Sequence, residues 1–196
     1  DLRRIEEVVG ELGFTPHLEL SEPEREAYLK SGYECAFDGV AGRNLLEVQW
    51  AIQPRFYAVD FDIDGVFQRS VPTTVAGRTM KTPSMEDLYI ILALHAAKHV
   101  WGRMIWPCDL ARIGSSRALN WNRVGEQACE LGIVRIVRVT LFLIQRVFAI
   151  PIPSPAEASL PSDERAAELA EEIAYQIADE TEYDVESPAY FRLMLR

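Results

Sequence analysis

Cysteine is scarce in this sequence, and its placement argues against two kinds of stabilising framework. Only three cysteines occur in 196 residues. Cys35, Cys108 and Cys129 stand far apart, and the sequence has no C-x-x-C motif. An odd number of widely spaced cysteines is not the pattern of a disulfide framework or of a zinc framework. The usage is typical of a reduced intracellular protein, and we expect a cytoplasmic location.

Long uninterrupted hydrophobic runs are also missing. The most apolar stretch, residues 133–150, is broken by Arg135, Arg138 and Arg146. Such a stretch does not form a membrane span. The start of the sequence has no pattern of a signal peptide. We therefore expect no membrane partner.

Basic charge is sparse, and no segment concentrates it. The chain has 20 lysines and arginines against 30 aspartates and glutamates, a formal net charge of −10. Binding to a nucleic-acid duplex requires a basic surface that neutralises phosphates, so we do not expect a duplex partner. A small anionic substrate needs only a local basic pocket and is compatible with this composition.

The apolar content, 48%, is sufficient for a buried core in one domain or two small ones. Periodicity predicts an α+β first part, residues 1–82, followed by a helical bundle, residues 83–196. In the first part we predict helices at 2–12, 21–30 and 60–69, strands at 14–20, 33–37 and 44–52, and a small hairpin or an extended connector at 71–81. The predicted apolar stripe of the first helix consists of Leu2, Ile5, Val8, Val9 and Leu12. In the second we predict helices at 84–101, 120–131, 133–148 and 163–180, a kinked continuation or a second short helix at 103–114, a linker at 151–155, and the start of a further helix in the last ten residues. Ser84 is the predicted N-cap of the helix at 84–101, with Asp87 three residues on.

The segment DFDIDG, residues 60–65, has the spacing that opens a calcium-binding loop. The twelfth position of such a loop is a bidentate glutamate, and Val71 stands there. The flanking segments are not two helices. We reject calcium and interpret these acidic residues as favouring a helix N-terminus.

The segment LHAAKH, residues 94–99, places two histidines on one face of a predicted helix. His95 and His99 have a spacing that can chelate zinc. The zinc-protease pattern requires a glutamate directly after the first histidine, and Ala96 stands there. The positive charge of Lys98 also opposes cation binding. The pattern therefore does not favour a metal.

Two other interpretations of this segment stay open. His95, Lys98, His99 and Arg103 lie on adjoining faces within two or three helical turns and could donate hydrogen bonds to phosphate or carboxylate oxygens. Alternatively, the imidazoles are core residues that follow the apolar stripe and bond to Asp109 on the next segment. The coincidence of three cationic or titratable groups favours substrate binding.

Glu47 lies in the middle of a predicted strand. Alternation places Leu46, Val48, Trp50 and Ile52 on one face of that strand and Leu45, Glu47 and Gln49 on the other. A carboxylate at such a position is often only part of the solvent face of a sheet. The pattern alone therefore favours a solvated position for Glu47.

Three segments together resemble a known family: LLEVQWAI (45–52), SMEDLYIILALHAAKHVWGRMIWPCDLARI (84–113) and LNWNRV (119–124). The sequence is similar to the uncharacterised nucleotidyltransferase family found widely in bacteria, over most of residues 1–150. That family's pattern is a D-L-H-W strand, then S-x-E-D-x-L-x-x-L-x-x-H-x-x-K-H-x-W, W-x-x-D-x-A-R and L-x-W-x. The residues in register with the helical motif are Glu86, Asp87, His95, Lys98, His99, Trp101 and Asp109.

The resemblance implies a polymerase-β-type nucleotidyltransferase: a mixed sheet with helices, of which only part is present, followed by an α-helical bundle. It implies transfer of a nucleoside monophosphate from a nucleoside triphosphate to an unknown acceptor at a two-magnesium site. Glu47 falls where the third carboxylate belongs, as a metal ligand or as the group that orients the attacking hydroxyl. The resemblance assigns no role to the residues of the helical motif. Our own inference is that His95, Lys98, His99 and Arg103 contact triphosphate or acceptor, and that Asp109 orients a histidine.

The sequence departs from the family pattern at several positions. Glu47 replaces the family's aspartate and Gln49 its histidine. No Gly-Ser turn followed by D-x-D is present, and Asp60 and Asp62 come too late to replace it. The chain begins at Asp1, without methionine and inside a predicted helix, so we expect a fragment of a longer protein. Either the upstream carboxylates lie outside this sequence, and Mg²⁺ binds with them, or the metal site has been lost.

Three functions follow from these alternatives. The first is a magnesium-dependent nucleotidyltransferase. The second is a catalytically inactive binding or scaffold module that keeps the fold and the basic pocket. The third is a purely structural helical domain, which predicts that His95 and His99 are buried and hydrogen-bonded. The sequence does not determine the nucleotide, the acceptor or the oligomeric state.

Overall fold

The computed structural model describes residues 2–179 together with residues 194 and 195. The predicted start of a helix in the last ten residues falls mostly outside the described residues. Contacts divide the chain into two compact units, residues 1–63 and residues 64–196. The predicted α+β class is confirmed: the first unit carries a small sheet with helices, and the second is mainly helical.

The first unit contains a three-stranded antiparallel sheet. Its elements are α1 (Leu2–Glu11), β1 (Thr15–Pro16), α2 (Glu22–Ser31), β2 (Glu34–Asp38) and β3 (Leu45–Gln49), and the strand order is β1-β2-β3. Short 3₁₀ turns follow at Val40–Gly42 and Arg55–Tyr57. The first strand is much shorter than the predicted strand at 14–20, because proline at Pro16 has no N–H to donate and residues beyond it leave the ladder after one further bond, from His17 N–H to Ala36.

The core of the first unit lies between α1 and one face of the sheet. Val9 and Phe37 are buried there. Partly buried apolar side chains pack against them, namely Ile5, Phe14, Cys35, Leu46 and Val48. The alternation predicted for β3 is therefore confirmed for Leu46 and Val48. The predicted apolar stripe of α1 is narrower than expected, since Val8 and Leu12 are exposed.

The helix α2 is held at both ends by side chains. At its start, the Glu24 carboxylate accepts hydrogen bonds from the backbone N–H and the hydroxyl of Ser21, at 2.8 and 2.6 Å. These bonds hold the pKa of Glu24 below its usual value. At its end, the indole N–H of Trp50 donates to the carbonyl of Gly32 at 3.0 Å. Trp50, the residue that follows β3, thus holds the end of α2 next to the end of that strand.

The second unit begins with a short helix and a hairpin. These elements are α3 (Ile63–Arg69), β4 (Val71–Val75) and β5 (Arg78–Thr82), with the two strands paired antiparallel. Gly77 occupies the turn with a φ of +76°, in the left-handed region that glycine favours. The hairpin ends at Thr82, the last residue of the predicted first part, and contacts group it with the helices that follow.

Further helices complete the second unit: α4 (Met85–Lys98), α5 (Ile105–Gly114), α6 (Trp121–Glu130), α7 (Val134–Phe148), α8 (Ser154–Ser159) and α9 (Glu164–Ala178). The others surround α4 and α7, which are the most deeply buried. Ile90 and Leu94 of α4 and Ile136 and Leu143 of α7 are fully buried. Within the part of the chain that the structure describes, no helix combines the length and the apolarity needed to cross a membrane.

Two predicted features of this unit are corrected. The helix predicted at 60–69 begins only at Ile63. The predicted linker at 151–155 is partly helical, because α8 begins at Ser154, where Pro155 fits an early helical position. The helix packs closely on α6, since a Cβ added at Gly125 would lie 2.3 Å from the carbonyl oxygen of Ser159.

A buried carboxylate joins three helices of the second unit. Asp87, in the first turn of α4, is fully buried. Arg69 at the end of α3 donates to both of its oxygens, at 3.0 and 2.8 Å. Ser84 donates to it at 2.7 Å, and Gln127 of α6 at 2.8 Å. The predicted cap is confirmed, because the Ser84 hydroxyl accepts from the Asp87 backbone N–H at 3.1 Å.

This network predicts a loss of stability in acid. Burial by itself raises the pKa of Asp87, but the hydrogen bonds from Arg69, Ser84 and Gln127 outweigh it and hold the pKa below its usual value. The stabilisation is therefore fully present above the unfolded pKa, about 3.9, and is lost as the pH falls through the lower folded pKa. Urea midpoints measured between pH 7 and 3 should fall steeply below about pH 4. Asp87→Asn should flatten that fall, and an unchanged slope would count against the network.

Candidate functional site

Glu47 projects from the middle of β3 on the face of the sheet opposite the core. It is exposed, and its backbone position lies directly across from Ala36 on β2. Leu45 and Gln49 are exposed beside it, as the alternation predicted. The small side chain of Ala36 leaves the carboxylate of Glu47 accessible from the neighbouring strand.

A histidine and an aspartate lie on the same face as Glu47. The Nδ1 of His17 is 2.8 Å from Oδ2 of Asp38, on the strand that pairs with Glu47. The backbone N–H of His17 donates to the carbonyl of Ala36 at 2.9 Å. His17 and Glu47 therefore lie on opposite sides of Ala36, His17 at the end of β1 and Glu47 on β3. Thr15 pairs with Asp38, so side-chain alternation puts His17 on the Asp38 face.

His17 and Asp38 were not predicted as site residues from the sequence. Their proximity depends on the register of β1 against β2, two segments separated by the whole of α2. One feature of the sequence could have identified His17 as a candidate. It is the only histidine in the first 90 residues of the sequence, and it follows a proline at a strand end.

The polar face also carries a second glutamate, which is hydrogen-bonded. Gln49 donates to Glu34 at 2.8 Å, and the two residues are directly opposite in the ladder. Across residues 2–179, 194 and 195, no group of three or more histidine, cysteine, aspartate or glutamate side chains is arranged to hold a metal ion. Glu47 thus supplies one carboxylate without the further ligands that a two-metal site needs.

In the second unit, the two histidines of LHAAKH pack around a tryptophan. The ring centroids of His95 and His99 are 4.9 Å apart. His99 stacks on Trp106 at 5.0 Å with an interplanar angle of 24°, and His95 meets the same ring edge-on at 5.3 Å. The guanidinium carbon of Arg103 lies 5.9 Å from the centroid of the Trp106 ring. We name His95, His99, Arg103 and Trp106 the histidine–tryptophan cluster.

A strained turn brings this cluster together. The helix α4 ends at Lys98, and Val100 and Trp101 adopt φ values of +53° and +51°. Left-handed backbone is unfavourable for a β-branched or bulky residue. The conformation is retained because the Trp101 ring is fully buried, its N–H donates to Thr140 at 3.2 Å, and its backbone N–H donates to Ala96 at 2.7 Å. Local strain of this kind often occurs at functional sites.

The remaining predicted site residues differ in exposure. Lys98 is buried, with 5% of its surface exposed. Asp109 is exposed on α5, three residues after Trp106. His95 and His99 are half-buried, which differs from the full burial that a purely structural role predicts. The structure therefore brings His95, His99 and Arg103 together around Trp106, a partner that the sequence analysis did not select.

Comparisons with known proteins identify one similarity. A family described as an uncharacterised nucleotidyltransferase matches residues 1–149, which include the whole first unit and the second unit to the end of α7. A search of curated proteins and a search of solved structures each found no similar protein.

Proposed function

The chain belongs to the uncharacterised nucleotidyltransferase family, and we propose that it acts in the transfer of a nucleoside monophosphate from a nucleoside triphosphate to an acceptor hydroxyl. In this reaction the hydroxyl oxygen bonds to the α-phosphorus, the bond to the β-phosphate breaks, and pyrophosphate leaves. We also propose that the fold is of the polymerase-β type. The acceptor is not specified by the residues that carry the proposal.

The position of Glu47 is the observation that carries this proposal. A carboxylate in mid-strand on an exposed sheet face can accept the proton of an attacking hydroxyl or orient that hydroxyl toward phosphorus. His17 lies on the same face, and Asp38 fixes its ring through Nδ1, so that Nε2 is left for a second contact to the acceptor or to a phosphate oxygen. Glu47 and His17 flank Ala36, where a reacting group could sit.

Magnesium belongs to the general chemistry of nucleotidyltransferases, and it would neutralise charge on the phosphates. The donor set among residues 2–179, 194 and 195 does not fit a two-magnesium site by itself, because no three ligating side chains converge. Glu47 is the residue that we assign to magnesium if further carboxylates join it. The steps assigned to Glu47 and His17 above do not depend on that assignment.

The histidine–tryptophan cluster is proposed as a contact for the anionic part of the substrate. Arg103 is exposed, and the imidazoles of His95 and His99 are half-buried around the Trp106 ring. Guanidinium and imidazole N–H groups donate strong hydrogen bonds to phosphate oxygens. Lys98 would add positive charge from its buried position, and Asp109 would orient an imidazole once substrate is bound.

Replacing Arg103 with alanine is expected to weaken nucleoside triphosphate binding roughly tenfold, the effect of one charge-assisted hydrogen bond. Dissociation constants should be measured by calorimetry for each of the four nucleoside triphosphates, at two salt concentrations. Arg117→Ala provides the matched control, since Arg117 is exposed and outside the cluster. Equal weakening of binding by both variants would show that the effect comes from the change in net charge, and that Arg103 does not contact the nucleotide.

A second function is favoured by one observation, the lack of a metal-binding group among the described side chains. A catalytically inactive module of the same fold would bind a nucleotide or a protein partner without chemistry. It predicts the same affinity for nucleotide with Mg²⁺ and with EDTA, and no release of pyrophosphate. The transferase predicts release of pyrophosphate that stops when EDTA is added.

A further inference from the structure

The hairpin formed by β4 and β5 is a sheet of its own. Its two strands pair with each other, and within the part of the chain that the structure describes no further strand joins them. Every residue of β5 from Arg78 to Lys81 is exposed. The outer edge of such a strand carries backbone N–H and C=O groups that can pair with an added strand.

The turn of the hairpin determines which backbone groups face outward. Its central residues Ala76 and Gly77 have φ values of +50° and +76°, as in a two-residue type I′ turn. The residues that flank the turn, Val75 and Arg78, therefore exchange ladder hydrogen bonds. Bonded and non-bonded pairs alternate in an antiparallel ladder. The second and fourth pairs from the turn are thus non-bonded, and their backbone groups point away from the hairpin.

The two outer edges differ in their hydrogen-bonding groups. On β5 the outward residues are Thr79 and Lys81, and among the described residues no other backbone segment bonds to them. On β4 the outward residues are Thr74 and Pro72, and proline has no N–H to donate. The β5 edge is therefore the complete one, with two donors and two acceptors.

The hairpin is basic although the chain as a whole is acidic. No aspartate or glutamate occurs in residues 65–85, whereas the chain has a formal net charge of −10. Arg78 and Lys81 are both exposed on β5. These charges disfavour pairing of β5 with a basic strand or with the same hairpin of a second copy. They favour a strand that has acidic side chains directly opposite.

Large apolar side chains are exposed on one face of the hairpin. Met80 lies opposite Thr73, two residues before Val75, so Met80 and Val75 share a face. Each is 54% exposed. A two-stranded hairpin alone is only marginally stable in water, and a third strand adds stability. An apolar residue opposite Met80 on that third strand would cover part of this face.

We propose that the outer edge of β5 binds an extended acidic segment of a partner protein as a third, antiparallel strand. The segment has an acidic residue opposite Lys81, an apolar one opposite Met80, and a second acidic residue opposite Arg78. Read from its N-terminus, the pattern is acidic, apolar, any residue, acidic. Backbone hydrogen bonds to Thr79 and Lys81 supply affinity, and the two opposite-charge pairs supply selectivity. This binding does not depend on nucleotidyl transfer.

The first test uses three forms of one peptide, Thr-Thr-Glu-Val-Thr-Glu-Thr-Thr, with both ends blocked. One form is unmodified. The second is N-methylated at the threonine after valine, whose N–H would point to β5, and the third at the valine, whose N–H would point away. Binding to the full chain should be followed through the amide resonances of Thr79 and Lys81. We expect the second form to bind roughly tenfold more weakly, the effect of one backbone hydrogen bond, and the third nearly as well as the unmodified form.

Two protein variants form a matched pair. Thr79→Pro removes an outward N–H of β5, and Thr74→Pro removes the one at the opposite position of β4. Neither group takes part in the ladder, so both hairpins should form, as the natural one does with Pro72. We expect only Thr79→Pro to weaken peptide binding. Lys81→Glu leaves the backbone unchanged and should reverse the preference, so that a peptide with lysine in place of its first glutamate binds more tightly.

Several results would overturn the proposal. They are failure of the unmodified peptide to bind, equal weakening by both N-methylations or by both proline variants, and an unchanged preference in Lys81→Glu. Dimerisation of the protein that is lost in Thr79→Pro would show that the edge pairs with a second copy instead. Tighter binding of a thymidylate octamer than of the peptide at these amides would show a phosphate site instead.

Discussion

Replacement of Glu47 by alanine is expected to lower the rate of pyrophosphate release roughly 10²–10⁴-fold, the contribution of a positioned acid–base group. The fold should be unaffected, because Glu47 is exposed and the core of its unit lies on the other face of the sheet. Rates should be measured for each of the four nucleoside triphosphates, with water and with a panel of hydroxyl compounds as acceptors. Circular dichroism should show unchanged secondary structure.

Three further variants sharpen this prediction. Glu47→Asp keeps the charge and restores the residue of the family pattern that the sequence resembles, so it should retain much of the activity. Glu47→Gln keeps the size and should be nearly as slow as the alanine variant. Glu26→Ala removes an exposed carboxylate of the same unit that pairs with Lys30, and it should have no effect. Full activity in Glu47→Ala would remove Glu47 from the mechanism.

Replacement of Asp87 by alanine is expected to destabilise the second unit by about 2–4 kcal/mol. The change leaves Arg69 without its bidentate partner and removes the acceptor for Ser84 and Gln127. The expected value lies below that of a wholly buried ion pair, because the Arg69 side chain is one-third exposed, at 33%, and water partly solvates it. The free energy of unfolding should be measured from urea titrations.

The control for Asp87 is an exposed acid in the same unit. Glu126→Ala, on the solvent side of α6, should change the free energy of unfolding by less than about 0.5 kcal/mol. Asp87→Asn should lie between the two, since an amide oxygen still accepts from Arg69 but carries no charge. If Asp87→Ala lowers the free energy of unfolding by less than about 1 kcal/mol, the contacts among α3, α4 and α6 depend mainly on apolar packing.

Local sequence patterns determined the features that depend on neighbouring residues. The face of Glu47 followed from a strict alternation in β3, because side chains on a strand alternate between its two faces. The start of α4 followed from Ser84 and Asp87, because a helix cap involves residues only three apart. The common face of His95 and His99 followed from helical spacing in the same way.

Features that depend on distant residues were not predictable. His17 and Asp38 meet because β1 pairs with β2 in one particular register, which no residue near His17 encodes. Trp106 reaches the histidines through a turn in which Val100 has a left-handed φ, a conformation that is unfavourable for a β-branched residue.

The central claim, that this chain serves nucleotidyl transfer, is tested most directly with nucleoside triphosphates labelled at the α-phosphate. The protein should be incubated with each labelled nucleotide, with acceptors as above, in Mg²⁺ and in EDTA. We predict that label is transferred and pyrophosphate released in Mg²⁺ but not in EDTA, and that both reactions stop in Glu47→Ala. Nucleotide bound with equal affinity in Mg²⁺ and EDTA, with no pyrophosphate released from any of the four, would contradict the account and support a binding module instead.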